Sequence, residues 1–372
     1  MKPPFIPLIR PFVGADELKE VRRVLESGWL AQGPKVKEFE KGVARFLGAR
    51  HVVATSSCTT ALSLALEALK VGRQTETVVP DFTFPATANV VIRAGGVATL
   101  ADVDPETFAL QPAEAKKSFG PKTRALIPVH PFGHPFPLDE VGELADGKGL
   151  DVVEDAATAF GTRYRGRFVG SRGRAVCFSF HPRKLLTTGE GGCLVTDDPE
   201  VFERAEALRN HGQVDRGGRA KFVLNGLNYR MSDVQAAIGV AQLRKIRGII
   251  ATRRKQAEVY RELLGALRVD ARPPVEKEWA HHTYQSFVVV LGPSFRSRDS
   301  CIRLLRQRHQ IEAQLGTYSL SSQQAFRSCP RRGSLATSQN LYERSLTLPM
   351  YQGLTEEEQA YVVDALARVG RG

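Results

Sequence analysis

The sequence predicts an α/β fold built on a predominantly parallel sheet, and three observations carry that reading. Short apolar runs of strand length recur along the first half of the chain: HVVATS, TVVP, VATLADV, ALIPVH and DVVEDA. Segments of helical character separate them, and this alternation is the pattern of parallel strands joined by crossover helices. Polar residues follow the ends of the later apolar runs, with Asp155, Ser179 and Lys184 at the positions where open α/β sheets present ligand-binding groups.

Taken in order, Asp16 to Ser27 reads as a helix that Gly28 ends. A second helix runs from Lys35 to Leu47 with Gly48 just past its end. HVVATS is a strand, and SCTTALSLALEAL opens a helix rich in Ala and Leu. Ser57 to Thr60 at its start offer hydroxyls and backbone N–H groups, which suit either an anion site or simple capping by Ser57 or Thr59. Strand TVVP, the turn DFTF, helix ATANVVIRAG and strand VATLADV come next. A polar helix near Ala113 to Ser118, strand ALIPVH and a helix near Leu138 to Leu144 complete this part.

The stretch from Asp151 to Asp197 is the chemical centre of the chain. DVVEDA and AVCFSF read as buried parallel strands, and TTGEGG is a tight glycine turn into a third apolar run, CLVTD. An acid and a lysine delivered together at strand ends suit a cofactor held covalently by an amine and tuned by a carboxylate. The plainer alternatives are a solvated lysine and a helix-capping aspartate.

PEVFERAEALRNHG is a further helix, and LNYRMSDVQAAIGVAQL starts a long one that Ser232 or Asp233 can cap. That helix ends the large domain near Gly248. The remainder holds a further helix, strand QSFVVVL, helix RDSCIRLLRQRHQ and a final helix after Thr355, while Ser321 to Asn340 reads as a surface loop. Two domains follow, 14–248 and 249–372, with segment 1–13 packing near the second.

Composition narrows the function. The chain has 372 residues, 42% hydrophobic and 25% charged, as ordinary soluble proteins do. No apolar run reaches membrane-spanning length, and proline interrupts the N-terminal segment where a signal peptide would need an apolar core. Cys58, Cys177, Cys193, Cys301 and Cys329 are scattered without metal-binding spacing, which points to reduced thiols in the cytoplasm and to no metal site. A net charge of +12 fits nucleic acid or an anionic small substrate. The densest basic run, Arg244 to Lys255, interleaves with apolar residues at helical spacing, so it reads as a solvated helix face, not a nucleic-acid footprint. Neither a G-x-G-x-x-G fingerprint after a strand nor a P-loop is present.

Together the segments SGWLAQGPKVKEFE, SSCTTALSLAL, VPDFTFPATAN, EDAATAFG, CFSFHPRK, TTGEGG, RNHG, LNYRMSDVQAAIGVAQL and LPMYQGLTEEE resemble the DegT/StrS family of pyridoxal-phosphate sugar aminotransferases, over about Ile6 to Leu366. The resemblance implies the fold-type-I architecture of such enzymes: a large domain with a mostly parallel sheet flanked by helices, and a smaller α+β C-terminal domain. It implies pyridoxal 5'-phosphate held as a Schiff base on Lys184, with Asp155 on the ring nitrogen. Phe84 would stack on the ring and Thr158 would contact it. Ser57, Cys58, Thr59 and Ser179 would form the phosphate cup, and Asn228 would reach that phosphate from a second copy of the chain, making a homodimer with shared sites. Trp29 and Tyr318 fall in substrate-side segments, and Arg230 offers a bidentate fork for a substrate phosphate or carboxylate.

The implied reaction moves an amino group, from L-glutamate, to a keto group on a nucleotide-activated sugar or related cyclic ketone, with no role for nucleic acid or membrane. Departures from the family pattern are Cys58 in place of a glycine or alanine, Thr158 in place of Gln or His, Phe160 in place of His, and Arg183 in place of a small residue. Two other readings are a sugar dehydratase of the same family, which would carry histidine in place of the lysine, and a basic binding or regulatory protein. The intact set of Asp155, Ser179 and Lys184 weighs against both. His130 and His211 read as structural histidines.

Overall fold

A computed structural model describes residues 5–170, 174–215 and 217–371; residues 1–4 of the N-terminal segment and Gly372 of the second domain lie outside the described residues. Helices α1 (Ala15–Ser27) and α2 (Pro34–Leu47) end at Gly28 and Gly48, whose φ of 70° and 73° is open to glycine at little cost. Strand β1 (His51–Thr55), helix α3 (Cys58–Ala68), strand β2 (Glu76–Pro80), the two-residue β3 (Phe82–Thr83), helix α4 (Ala86–Arg93), strand β4 (Val97–Ala101), helix α5 (Pro112–Lys117), strand β5 (Thr123–Leu126), helix α6 (Leu138–Asp146) and strand β6 (Asp151–Asp155) follow. The short hairpin β7 (Arg163–Tyr164) and β8 (Arg167–Phe168) precedes β9 (Ala175–Ser179) and β10 (Gly192–Thr196).

Seven of these strands form the central sheet in the order β1-β10-β9-β6-β5-β2-β4. β9, β6, β5, β2 and β4 are mutually parallel, and β10 runs against both its neighbours. The expectation of a mostly parallel α/β sheet therefore holds, with CLVTD as the one reversed strand, turned back by TTGEGG. The sheet is buried on both faces. Val53, Val153, Cys177 and Leu194 pack toward α3 and α4, while Val52, Val176, Phe178 and Val195 pack toward α2.

Helix α7 (Pro199–Arg209) and a small hairpin of β11 (Gln213–Asp215) and β12 (Ala220–Phe222) lead into α8 (Asp233–Ala266). Ser232 caps α8 by accepting a hydrogen bond from the Gln235 N–H at 3.2 Å. The helix does not end near Gly248, as the sequence reading has it; it continues through 34 residues. Its C-terminal half joins the second core, where Gln256 donates to the Tyr351 carbonyl at 2.8 Å.

After α8 come β13 (Ala271–Arg272), β14 (Ala280–His281), β15 (Phe287–Leu291), α9 (Arg298–His309), β16 (Gln314–Leu315), β17 (Tyr318–Ser319), α10 (Ala336–Arg344), β18 (Ser345–Leu348) and α11 (Glu356–Arg371), and the second core is built mainly from α8, β15, α9, β18 and α11. β13-β15-β18-β16 is an antiparallel sheet, β17 pairs back to β3 of the first half, and Ile6 and Leu8 bond to Gln310 and Glu312 beside it. The stretch read as a loop, Ser321 to Asn340, contains the first half of α10 and buries Phe326, Leu335 and Ser338. The start of α10 is capped from far away: Asp102 accepts from the N–H of Thr337 at 3.0 Å and of Ser338 at 2.8 Å. No described helix is long and apolar enough to cross a membrane.

Candidate active site

Strand alternation decides what reaches the site. On β6, Val153 faces α3 and α4, so Asp155, two residues on, faces the same way at the C-terminal end of the strand. On β9, Cys177 and Ser179 share that face. The ends of β9 and β1 are held level by Gly192, which pairs with both Ser179 and Thr55. Only glycine fits there: a Cβ on Gly192 would lie 2.4 Å from the backbone nitrogen of Cys58. The start of α3 is thereby brought directly against the sheet edge.

These elements surround a cavity of about 540 Å³ whose wall includes Ser57, Cys58, Thr59, Asp155, Ser179 and Lys184. The second core closes it with Gln285, Gln314 and Thr347. Asp155 is 4% exposed. Its Oδ2 accepts from the Thr87 hydroxyl at 2.7 Å and its Oδ1 from the Ala157 N–H at 3.1 Å. Burial raises its pKa, and the two hydrogen bonds and the Lys184 charge oppose that rise. For Lys184, burial lowers the pKa, aided by the Arg183 charge and opposed by Cys58 and Asp155. The amine is thus pushed toward its neutral, nucleophilic form.

Ser57 caps α3, accepting from the Thr60 N–H at 3.1 Å, and Thr59 is exposed on the first turn. The Cys58 thiol sits 3.6 Å from the Cys177 carbonyl, and burial drives its pKa well up, so it is a neutral group. Thr158 lines the cavity while its hydroxyl donates to the His130 carbonyl at 2.7 Å. Phe84 is 63% exposed, faces the cavity and meets Tyr318 edge-on at 6.3 Å. Phe160 points away into the core against Phe46, Phe178 and Phe180.

Four expected residues stand off this chain's cavity wall: Trp29, Asn228, Arg230 and Tyr318, whose ring meets Phe84. Trp29 is exposed and donates to the Gln32 carbonyl at 3.2 Å. Asn228 accepts from the Arg230 N–H at 3.3 Å, and the Arg230 guanidinium donates to Asn210 at 2.5 Å, both off this chain's cavity wall. His130 is buried: the Phe136 N–H donates to its Nδ1 at 3.3 Å, and its Nε2 lies 3.0 Å from Glu154. The sequence reading overlooked Thr87 and Gln285. Gln285 holds the backbone on either side of Lys184: its Oε1 accepts from the Leu185 N–H at 2.8 Å and its Nε2 donates to the Arg183 carbonyl. No local pattern ties Gln285 to a lysine 101 positions earlier; Thr87, inside PATAN, is legible only once α4 is placed against β6.

The donor set fits pyridoxal phosphate. An enclosed amine, a carboxylate with a lone pair to spare, and a hydroxyl-rich helix start pressed in by Gly192 converge on one cavity.

A family model described as the DegT/DnrJ/EryC1/StrS aminotransferase family matches residues 11–367. The spore coat polysaccharide biosynthesis protein SpsC of Bacillus subtilis (strain 168) is 32% identical over 99% of this chain and 98% of its own. The structure of S. venezuelae DesV in complex with a ketimine intermediate superposes with a TM-score of 0.91 at 31% identity, covering 100% of both chains. DesI, solved in the presence of its TDP-sugar product, gives 0.90 at 30% identity, covering 99% of this chain and 93% of that one.

Proposed function

Because the chain belongs to the DegT/DnrJ/EryC1/StrS aminotransferase family, we propose that it moves an amino group from L-glutamate to the keto group of a nucleotide-activated sugar. It is a pyridoxal-phosphate-dependent aminotransferase. The convergence of Lys184 and Asp155 on one cavity with the start of α3 is the observation that carries the reading. The TDP-sugar product of DesI and the polysaccharide role in the name of SpsC support the acceptor class.

When bound, the cofactor supplies a carbonyl carbon that carries the amino group and a ring that takes up the electron pair left by C–H cleavage. The rest of the chemistry belongs to the chain. Lys184 Nζ, favoured as a neutral amine by burial, would move the proton between the carbon that bears the amino group and the carbonyl carbon of the cofactor, on the other side of the nitrogen they share. Asp155, fixed by Thr87 and Ala157, holds the proton on the ring nitrogen. Ser57, Thr59 and Ser179, with the N–H groups at the start of α3, bind the phosphate, and the neutral Cys58 thiol adds no charge there. Phe84 and Thr158 bear on the ring from the cavity wall.

Asn228, Trp29 and Arg230, set off this chain's cavity, serve the site of a second copy in a two-fold homodimer; Tyr318, behind Phe84, borders the substrate. The division into a large part, 14–248, and a small part, 249–372, with a cytoplasmic location, belongs to the same reading. The test is a panel of nucleotide-linked keto-sugars incubated with glutamate, followed by product mass. Conversion of at least one is expected. Conversion only of ketones that lack a nucleotide overturns the acceptor class.

A further inference from the structure

Arg183 and Lys184 are adjacent in the chain but occupy different depths. The Lys184 amine is enclosed by the cavity wall, whereas Arg183 is exposed at the rim of the same cavity. Arg183 is tied down at both ends. Its N–H donates to His181 Nδ1 at 3.2 Å, its carbonyl accepts from Gln285, and its Nη1 donates to Gln314 Oε1 on β16 at 2.9 Å. The guanidinium is thus held across the mouth between the two cores.

It has no ion-pair partner among the described residues: the rim carboxylate Glu190 lies 3.9 Å from His181. Among the described residues, Arg183 and Lys184 are the only Arg or Lys side chains in the lining of this cavity, where the carboxylates are Asp155 and Glu190. Lys184 and Asp155 are committed to the cofactor, which leaves Arg183 as this chain's free strong cation for a substrate anion. A fixed guanidinium with unused N–H groups recognises a phosphate or carboxylate by paired hydrogen bonds.

Depth decides which anion. The α-carboxylate of an amino-acid donor is bonded to the reacting carbon, so it must sit near Lys184. A diphosphate on the far side of a sugar ring lies several bonds from the keto carbon and belongs at the rim. We propose that Arg183 is a specificity-determining residue that binds the diphosphate of the nucleotide-linked acceptor, with Gln314 fixing its reach. This rests on the acceptor class proposed above. The side-chain carboxylate of glutamate shares the anionic chemistry and is the competing source.

The experiment uses cofactor-loaded enzyme as wild type, Arg183→Gln and Arg183→Lys. Calorimetry measures binding of TDP and UDP, each against its free nucleoside, and steady-state kinetics measure KM and kcat for acceptor and glutamate separately. In Arg183→Gln the dissociation constant of the better-bound diphosphate and the KM for acceptor rise about tenfold or more, with kcat changed far less. Arg183→Lys, which keeps the charge without the fork, falls between. Diphosphate binding equal to wild type in Arg183→Gln overturns the proposal, as does a rise in the KM for glutamate alone. If wild type binds neither diphosphate, a TDP- or UDP-linked acceptor is overturned, and the assignment of Arg183 with it.

Discussion

Gln285 grips the backbone around Lys184 with one amide group, its oxygen on the Leu185 N–H and its nitrogen on the Arg183 carbonyl. Lys184 is thereby positioned by a residue from the other core. Gln285→Leu keeps the volume but leaves both backbone groups without their partner. Loss of a buried hydrogen-bond partner costs about 1–3 kcal/mol, and a displaced lysine slows the reaction by roughly ten- to a hundredfold. Thermal unfolding and single-turnover rates with glutamate check this; a variant with wild-type kcat would show that the grip does not position Lys184.

Lys184→Ala abolishes turnover and removes the absorbance of the covalently held cofactor, since no other lysine among the described residues lines the cavity. Spectra of the purified variant with added cofactor settle it. Turnover at the wild-type level excludes Lys184 from the role.

Thr87 holds down the pKa of Asp155 against the rise that burial causes. The role proposed for Asp155 needs its carboxylate ionised, and that form is present above its pKa. Thr87→Val removes the hydrogen bond, raises the pKa further, and moves the acid limb of the kcat profile to higher pH. An acid limb that stays in place refutes the link. Asp155→Asn is the stronger lesion and lowers kcat by several orders of magnitude, on the order of 10³ or more; a loss below about tenfold would remove Asp155 from the role.

Mixing inactive Lys184→Ala and Asn228→Ala chains under subunit exchange tests shared sites. If Asn228 serves the neighbouring copy, a mixed dimer places both defects in one pocket and leaves the other intact, so activity returns. If Asn228 acts within its own chain, every pocket carries one defect and the mixture stays inactive.

Much of this was legible in local pattern. Asp155, Ser179 and Lys184 follow apolar runs, and period-two burial then puts Asp155 and Ser179 on one face of the sheet. What escaped depends on partners distant in sequence. Helix α10 lacks a local cap because Asp102 supplies it from 235 residues away. The α8 boundary failed for a different reason. Gly248 costs a helix interior about 1 kcal/mol relative to Ala, but tertiary contacts beyond it outweigh that cost. Gln256 and Arg253 bond to the carbonyls of Tyr351 and Met350, so the second core pulls the helix onward.

The unbroken course of α8 also governs how the protein can be cut. At about 1.5 Å per residue, its 34 residues form a single strut anchored in both cores. A fragment ending at residue 248 would sever that strut and expose on one side Ile246, and on the other Ala257, Tyr260 and Leu264, all buried in the whole chain. The two halves are therefore poor candidates for separate expression or for exchange between relatives at that point, whereas a junction in the loop before Ser232 would carry the strut across intact.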